Sequence, residues 1–249
     1  MNKTEEFYIG YQPRAPRNLA NFIRRIAAGI VVAAILIALA LVFGQNRFAP
    51  SFFDFGNVRE FEGIVRTAPV PLLQVPDATG AAIQYALVAE GKHGADSLVA
   101  GMDGKRVKLR GTEIRRDGMT MIEVVRGSVR VVLQAETANA ALPEELGIHA
   151  LIGEIVDSKC YLGVMNPGHT KPHRECAARC ISGGVPPLFI ARDTAGRTLR
   201  LWLVDVDGSP VNQRVLDLVA EPVEISGAIA RRGDQFVLRA DPASYKRVY

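Results

Sequence analysis

The sequence of 249 residues lacks the common signatures of enzyme active sites. It contains no Gly-rich phosphate loop, no Gly-x-Gly-x-x-Gly dinucleotide pattern and no Ser-centred elbow. The sequence also has no haem-attachment motif, since no Cys-x-x-Cys-His occurs. We therefore expect a non-catalytic subunit or an assembly factor rather than a stand-alone enzyme.

An excess of basic charge is missing from most of the chain. There are 30 Lys and Arg against 26 Asp and Glu, but residues 1–25 hold five of the basic and two of the acidic residues. Residues 26–249 are therefore nearly neutral. They also lack the pattern of aromatic residues alternating with Arg or Lys that is typical of nucleic-acid-binding surfaces. The sequence therefore predicts a membrane and a protein of a membrane-bound complex as partners, and no nucleic acid.

One long apolar run lies near the N-terminus. Residues 26–43, IAAGIVVAAILIALALVF, carry no charge and nearly span a bilayer as a helix. A buried core helix would show a polar side, and a cleaved signal peptide rarely has so long a basic region. Four Arg and one Lys precede the run, which by the positive-inside rule puts the N-terminus in the cytoplasm. We expect a single-pass protein of a bacterial inner membrane with residues 44–249 in the periplasm.

Beyond the apolar run the chain reads as short strands joined by tight turns, with an internal repeat. An Arg-Asp-Gly turn ending at Gly118 predicts a hairpin. Gly111 and Gly227 lie 116 residues apart in similar surroundings, and so do Pro71 and Pro187, each at the start of an apolar strand. The sequence therefore contains two related halves.

The repeat changes its spacing at one point. The glycines of the first strands, Gly63 and Gly153, are only 90 residues apart, so the second copy has a net insertion of 26 residues before Pro187. We predict a mainly β fold: an N-terminal single transmembrane helix followed by two OB-like small β-barrels, the second with a Cys/His-containing helical insert. A single β-sandwich with similar halves is the alternative. The expected segments are a basic tail at 1–25, the transmembrane helix at 26–43, a juxtamembrane segment at 44–56, a first domain at 57–135, a linker at 136–147, and a second domain at 148–249 with the insert at 157–186.

The insert contains all three cysteines and two of the four histidines. Pro172 and the Gly183-Gly184 pair predict a short helix over about residues 172–181. On such a helix the side chains at 173, 176 and 180 share one face. The candidate site residues are Cys160, Cys176, Cys180, His173 and His169.

Three interpretations of this set remain open. As a metal site it would bind zinc or copper, with the three cysteines as thiolate ligands, His173 as the imidazole and His169 as a spare ligand. A blue-copper-like or dinuclear copper redox centre belongs to the same interpretation. Alternatively, Cys160 forms a disulfide with Cys176 or Cys180, which cannot bridge each other within a regular helix. The third is a catalytic pair in which a cysteine is activated by His173 or Lys159.

The overall plan suggests a functional context. A short tail, one anchor and a periplasmic OB-like barrel are similar to the plan of the periplasmic haem chaperones of cytochrome maturation. The haem-attaching His of that family, in its His-x-x-x-Tyr setting, has no counterpart here, so haem handling is not implied. We expect an accessory or electron-transfer subunit of a respiratory or metalloenzyme complex. The alternatives are a structural scaffold with a disulfide-stapled docking loop and a copper metallochaperone.

Overall fold

The computed structural model describes residues 15–45, 51–76, 82–132 and 143–248. The chain divides into two compact units, one that ends at Ala49 and one that begins at Pro50. The tail up to residue 14 and residues 136–142 of the expected linker lie outside the described residues.

The first unit contains a single described helix, α1 (Arg17–Gln45), which includes the whole apolar run 26–43. Pro16 lies directly before it, and the Pro16 carbonyl accepts a hydrogen bond from the Ala20 amide at 2.9 Å. Residues 21–44 are exposed on every side of the helix. The helix is long and apolar enough to cross a membrane.

The second unit begins with a β-sheet that closes on itself. Its strands are β1 (Ser51–Phe53), β2 (Arg59–Arg66), β3 (Leu72–Pro76), β4 (Ala82–Ala89), β5 (His93–Gly94), β6 (Arg106–Arg116), β7 (Met119–Val124) and β8 (Arg130–Val131). Pairing runs from β2 through β3, β4, β7 and β6 and back to β2. The β4–β7 pair is parallel and the other four pairs of the ring are antiparallel, which is the Greek-key order of an OB-like barrel.

A second barrel repeats this topology. Its strands are β9 (Glu144–Asp157), β10 (Pro187–Arg192), β11 (Thr198–Val204), β12 (Pro222–Arg232), β13 (Gln235–Arg239) and β14 (Lys246–Arg247). Pairing runs from β9 through β10, β11, β13 and β12 and back to β9, with β11 and β13 parallel. The predicted fold class is confirmed, and the single β-sandwich is excluded because each sheet closes separately.

The glycines that revealed the repeat occupy equivalent places in the two barrels. Gly63 lies in β2, and a Cβ atom there would overlap the carbonyl oxygen of Gln74 in β3. Gly153 lies in β9, and a Cβ atom there would overlap the carbonyl oxygen of Ile190 in β10. Each first strand therefore needs a glycine where the second strand approaches most closely.

Two strand boundaries differ from the sequence interpretation. Strand β1 falls within the expected juxtamembrane segment 44–56 but pairs with β6, because Phe53 packs on the core and the Phe52 ring lies 4.6 Å from the Arg115 guanidinium carbon. Strand β9 begins at Glu144, within the expected linker, because residues 144 and 145 pair with β12.

Each barrel has a hydrophobic core of its own, and a third cluster lies between the two barrels. This third cluster joins Ile114 and Met121 of the first barrel to Tyr161, Leu162 and Cys180 of the insert. A buried ion pair between Lys159 and Glu123 links the barrels in the same region. The insert is thus enclosed between the barrels along this side.

Candidate metal centre

The insert leaves the second barrel at the end of β9 and returns at β10. It begins with a single π-helical turn, Cys160–Val164, and continues to a 3-10 turn, Lys171–His173, and helix α2 (Arg174–Ser182). The predicted helix over 172–181 therefore exists, displaced by one or two residues toward the C-terminus. Helix α2 is anchored by the buried side chains of Ala177, Cys180 and Ile181, which fixes the direction of its cysteines.

The three cysteine side chains converge at one point. The Sγ atoms of Cys160, Cys176 and Cys180 all lie within 4.8 Å of one another, and all three residues are free cysteines. Cys160 and Cys180 are buried, whereas Cys176 is half-buried. The cluster is therefore reached from the side of Cys176, and its three sulfurs could hold a metal ion.

His173 lies next to the cluster in a second group. Its Nε2 atom is 3.0 Å from Oδ2 of Asp157, and both residues are buried. The other oxygen of Asp157 accepts a hydrogen bond from the Cys160 amide at 2.8 Å. Ligand atoms of Asp157, Cys160 and His173 also lie within 4.8 Å of one another, so this group could hold a metal too. Asp157 was missed by the sequence analysis, although it stands three residues before Cys160.

His169 is placed apart from both groups. Its ring centroid lies 6.1 Å from that of Tyr161 in an edge-on arrangement. Burial and the nearby Arg116 guanidinium lower the pKa of His169, which favours the neutral imidazole. In the described residues, neither group of candidate metal ligands includes it.

A lysine of the first barrel reaches the sulfurs. Lys92, in the turn between β4 and β5, donates a hydrogen bond from Nζ to the Cys176 Sγ at 2.8 Å and lies 3.9 Å from the Cys180 Sγ. A Cβ atom on Gly183, at the end of α2, would overlap the carbonyl oxygen of Lys92. The Gly94 amide donates to the Gly183 carbonyl at 3.0 Å. The one sequence signal for this contact is the glycine at 183, which permits another backbone to approach.

The surroundings of the sulfurs shift the pKa values of Cys160 and Cys180 in opposite directions. A hydrogen bond from Cys160 and the ammonium of Lys92 lower the pKa of Cys180. The same hydrogen bond to Cys180, together with burial and the neighbouring Asp157, raises the pKa of Cys160 far above its usual value. The hydrogen bond to Cys176 raises the pKa of Lys92. Of these two thiols, Cys180 is therefore the one that loses its proton more readily, and Lys92 keeps its charge.

Lys159 is occupied away from the sulfurs. Its Nζ atom pairs with Glu123 and donates to the carbonyl oxygens of Ala89 and Gly91, at 2.9 and 2.6 Å. The ammonium of Lys159 therefore binds groups of the first barrel and does not activate a cysteine. With Cys160 buried and its pKa raised, this arrangement does not favour a nucleophilic thiol there.

Comparison with known proteins adds little to the geometry. No family model and no curated protein matches the chain. Among solved structures, a deletion mutant of the single-stranded DNA binding protein from Thermus aquaticus is similar, with 11% identity, a TM-score of 0.22, and 81% of this chain and 88% of that chain covered. Its similarity to this chain is too low to assign a function.

The fold corrects one prediction. Nucleic acid was excluded because the chain outside its tail is nearly neutral, yet the chain forms two OB-like barrels. The exclusion is wrong as it was argued, because OB barrels bind single strands through local grooves and aromatic stacking, which the net charge does not report.

Proposed function

We propose that the chain is a membrane-tethered metal-binding protein that holds one soft cation, Cu⁺ or Zn²⁺, on the thiolates of Cys160, Cys176 and Cys180. The observation that carries this proposal is the convergence of three free thiols within 4.8 Å. Thiolates are the ligands that Cu⁺ and Zn²⁺ prefer among protein side chains. A disulfide staple would need only two of them.

The ligand set favours binding or delivery of the metal over electron transfer. Blue-copper electron-transfer sites combine two imidazoles with one thiolate. Here the histidine nearest the sulfurs, His173, has its Nε2 atom on Asp157. The half-buried Cys176 gives an incoming ion a first contact, which a carrier needs and a sealed structural site does not. The copper metallochaperone and the metal-holding accessory subunit are therefore preferred to the electron-transfer subunit.

The proposed setting is the outer face of a bacterial inner membrane. Helix α1 would be the anchor, with the basic residues before it in the cytoplasm and the barrels in the periplasm. In that compartment the three thiols would need protection from oxidation, which a bound ion provides. The client would be a protein of a membrane complex that requires the same metal.

The test is metal stoichiometry with single cysteine variants. The full chain, purified in detergent with reductant and without chelator, is titrated with Cu⁺ or Zn²⁺ against a chromophoric chelator. We expect one ion per chain in the wild type and loss of that binding in Cys160→Ser, Cys176→Ser and Cys180→Ser. Each variant should retain the far-ultraviolet circular dichroism of the wild type.

A different result would overturn the proposal. Absence of bound metal in the wild type, together with one free thiol in a second sample purified and denatured without reductant, would mean that Cys160 is bridged to Cys176 or Cys180. The chain would then be a scaffold with a stapled docking loop. Full metal binding in the Cys176→Ser variant would equally contradict the proposed ligand set.

A further inference from the structure

Lys92 is set against the sulfur cluster by the fold of the first barrel. Its backbone lies on the end of α2, where Gly183 and Gly94 meet. The residues just before it are held by the Nζ of Lys159, through the carbonyls of Ala89 and Gly91. The ammonium of Lys92 therefore has a defined position beside Cys176, although its side chain stays accessible to solvent.

This position brings a fixed positive charge close to any ion on the thiolates. The distance from Nζ of Lys92 to Sγ of Cys176 is 2.8 Å, and a zinc–thiolate bond is about 2.3 Å. An ion bound to Cys176 would thus lie no more than about 5 Å from the ammonium while this contact persists. At that separation the repulsion is twice as large for a divalent ion as for a monovalent ion.

We propose that Lys92 makes the thiolate site selective for a monovalent soft ion, Cu⁺, over the divalent Zn²⁺, so that the first barrel sets the metal preference of the second. This inference rests on the proposed function, because it requires that the three cysteines bind metal. The ammonium also stabilises the thiolates, but that benefit is common to both ions, since each displaces the same protons. The ratio of the two affinities therefore isolates the repulsion.

The experiment compares dissociation constants for Cu⁺ and Zn²⁺ in the full chain in detergent, at one pH and with reductant. Lys92→Gln removes the charge and introduces no sulfur, because a thioether at this position would itself be a ligand for Cu⁺. Lys92→Arg keeps the charge. Lys108→Gln is the matched control, because it makes the same change in net charge but its ammonium pairs with Glu60 and Glu62, at 3.5 and 3.4 Å.

We expect the preference for Cu⁺ over Zn²⁺ to fall about tenfold in Lys92→Gln, a modest value because Lys92 is open to solvent. If the wild type binds no measurable Zn²⁺, the same effect would be seen as Zn²⁺ binding that appears in this variant. Lys92→Arg and Lys108→Gln should keep the wild-type ratio within about twofold.

An unchanged ratio in Lys92→Gln, with both ions still bound through the cysteines, would overturn this inference and leave the proposed function intact. If the wild type binds neither ion, the proposed function fails, and this inference fails with it. Thermal unfolding of each variant identifies any change that comes from a loss of folding.

Discussion

The buried ion pair between Lys159 and Glu123 should hold the two barrels together. Lys159 extends from the end of β9 into the first barrel, where it pairs with Glu123 and donates to two backbone carbonyls. The side chains of Lys159 and Glu123 are 4% and 18% exposed. Because water reaches this pair poorly, loss of one partner leaves the other charge without compensation.

The expected magnitudes follow from what each substitution leaves behind. Lys159→Met leaves the Glu123 carboxylate and the carbonyls of Ala89 and Gly91 without the ammonium that pairs with them. We therefore expect it to lower the free energy of unfolding by about 4 kcal/mol. Glu123→Gln leaves the ammonium with both carbonyl partners, and about 2 kcal/mol is expected. The double variant no longer contains an isolated charge, so its loss should be at least about 1 kcal/mol smaller than the two single losses together.

Denaturant unfolding of the metal-free, reduced chain in detergent measures these values. Trp202 is the only tryptophan, is fully buried in β11 and reports on the second barrel through its fluorescence. The control is Arg231→Met, which breaks the exposed pair of Arg231 and Glu144 and should cost less than about 1 kcal/mol. Additive losses in the double variant would refute the idea that this pair couples the barrels.

Four further predictions concern two glycines, His169 and Asp157. Gly153→Ala should lower the free energy of unfolding by about 1–3 kcal/mol, measured in the same way, because a Cβ atom would force β10 away from β9. Gly183→Ala should displace the turn that carries Lys92 and reduce the preference for Cu⁺ in the affinity ratio, as Lys92→Gln does; an unaltered ratio would count against this contact. His169→Ala should leave metal affinity unchanged, whereas Asp157→Asn should weaken it about tenfold in chelator competition because its carboxylate orients the group around the sulfurs.

The sequence predicted those parts of the fold that depend on neighbours along the chain. Gly63 and Gly153 lie at equivalent places in the first strands of the two barrels, where the second strand comes close. Their separation of 90 residues is shorter than the 116 residues between Pro71 and Pro187, and this difference located the insert. Cys176 and Cys180 are one helical turn apart, so their shared face followed from the helix itself.

The contacts between barrels could not be predicted in this way. Lys92 stands 84 residues before Cys176, in a turn that looks solvated from its own sequence. Its position depends on how the first barrel packs against α2, and no periodicity within either segment encodes that packing. Asp157 was missed for another reason: it ends an apolar strand, where its hydrogen bonds to the insert leave no separate pattern.

The site depends on both copies of the repeat because the insert packs against each of them. In the first barrel only residues 67–71 separate β2 from β3, whereas residues 158–186 separate β9 from β10. A connection of that length loses much conformational entropy on folding, and burial must compensate for it. Tyr161 and Leu162, next to Cys160, are buried in a cluster with residues of the first barrel, whereas Ala177 and Ile181 of α2 are buried in the core of the second barrel. The cysteines therefore converge where the two barrels meet, and each barrel supplies part of the surface on which the thiolate cluster is assembled.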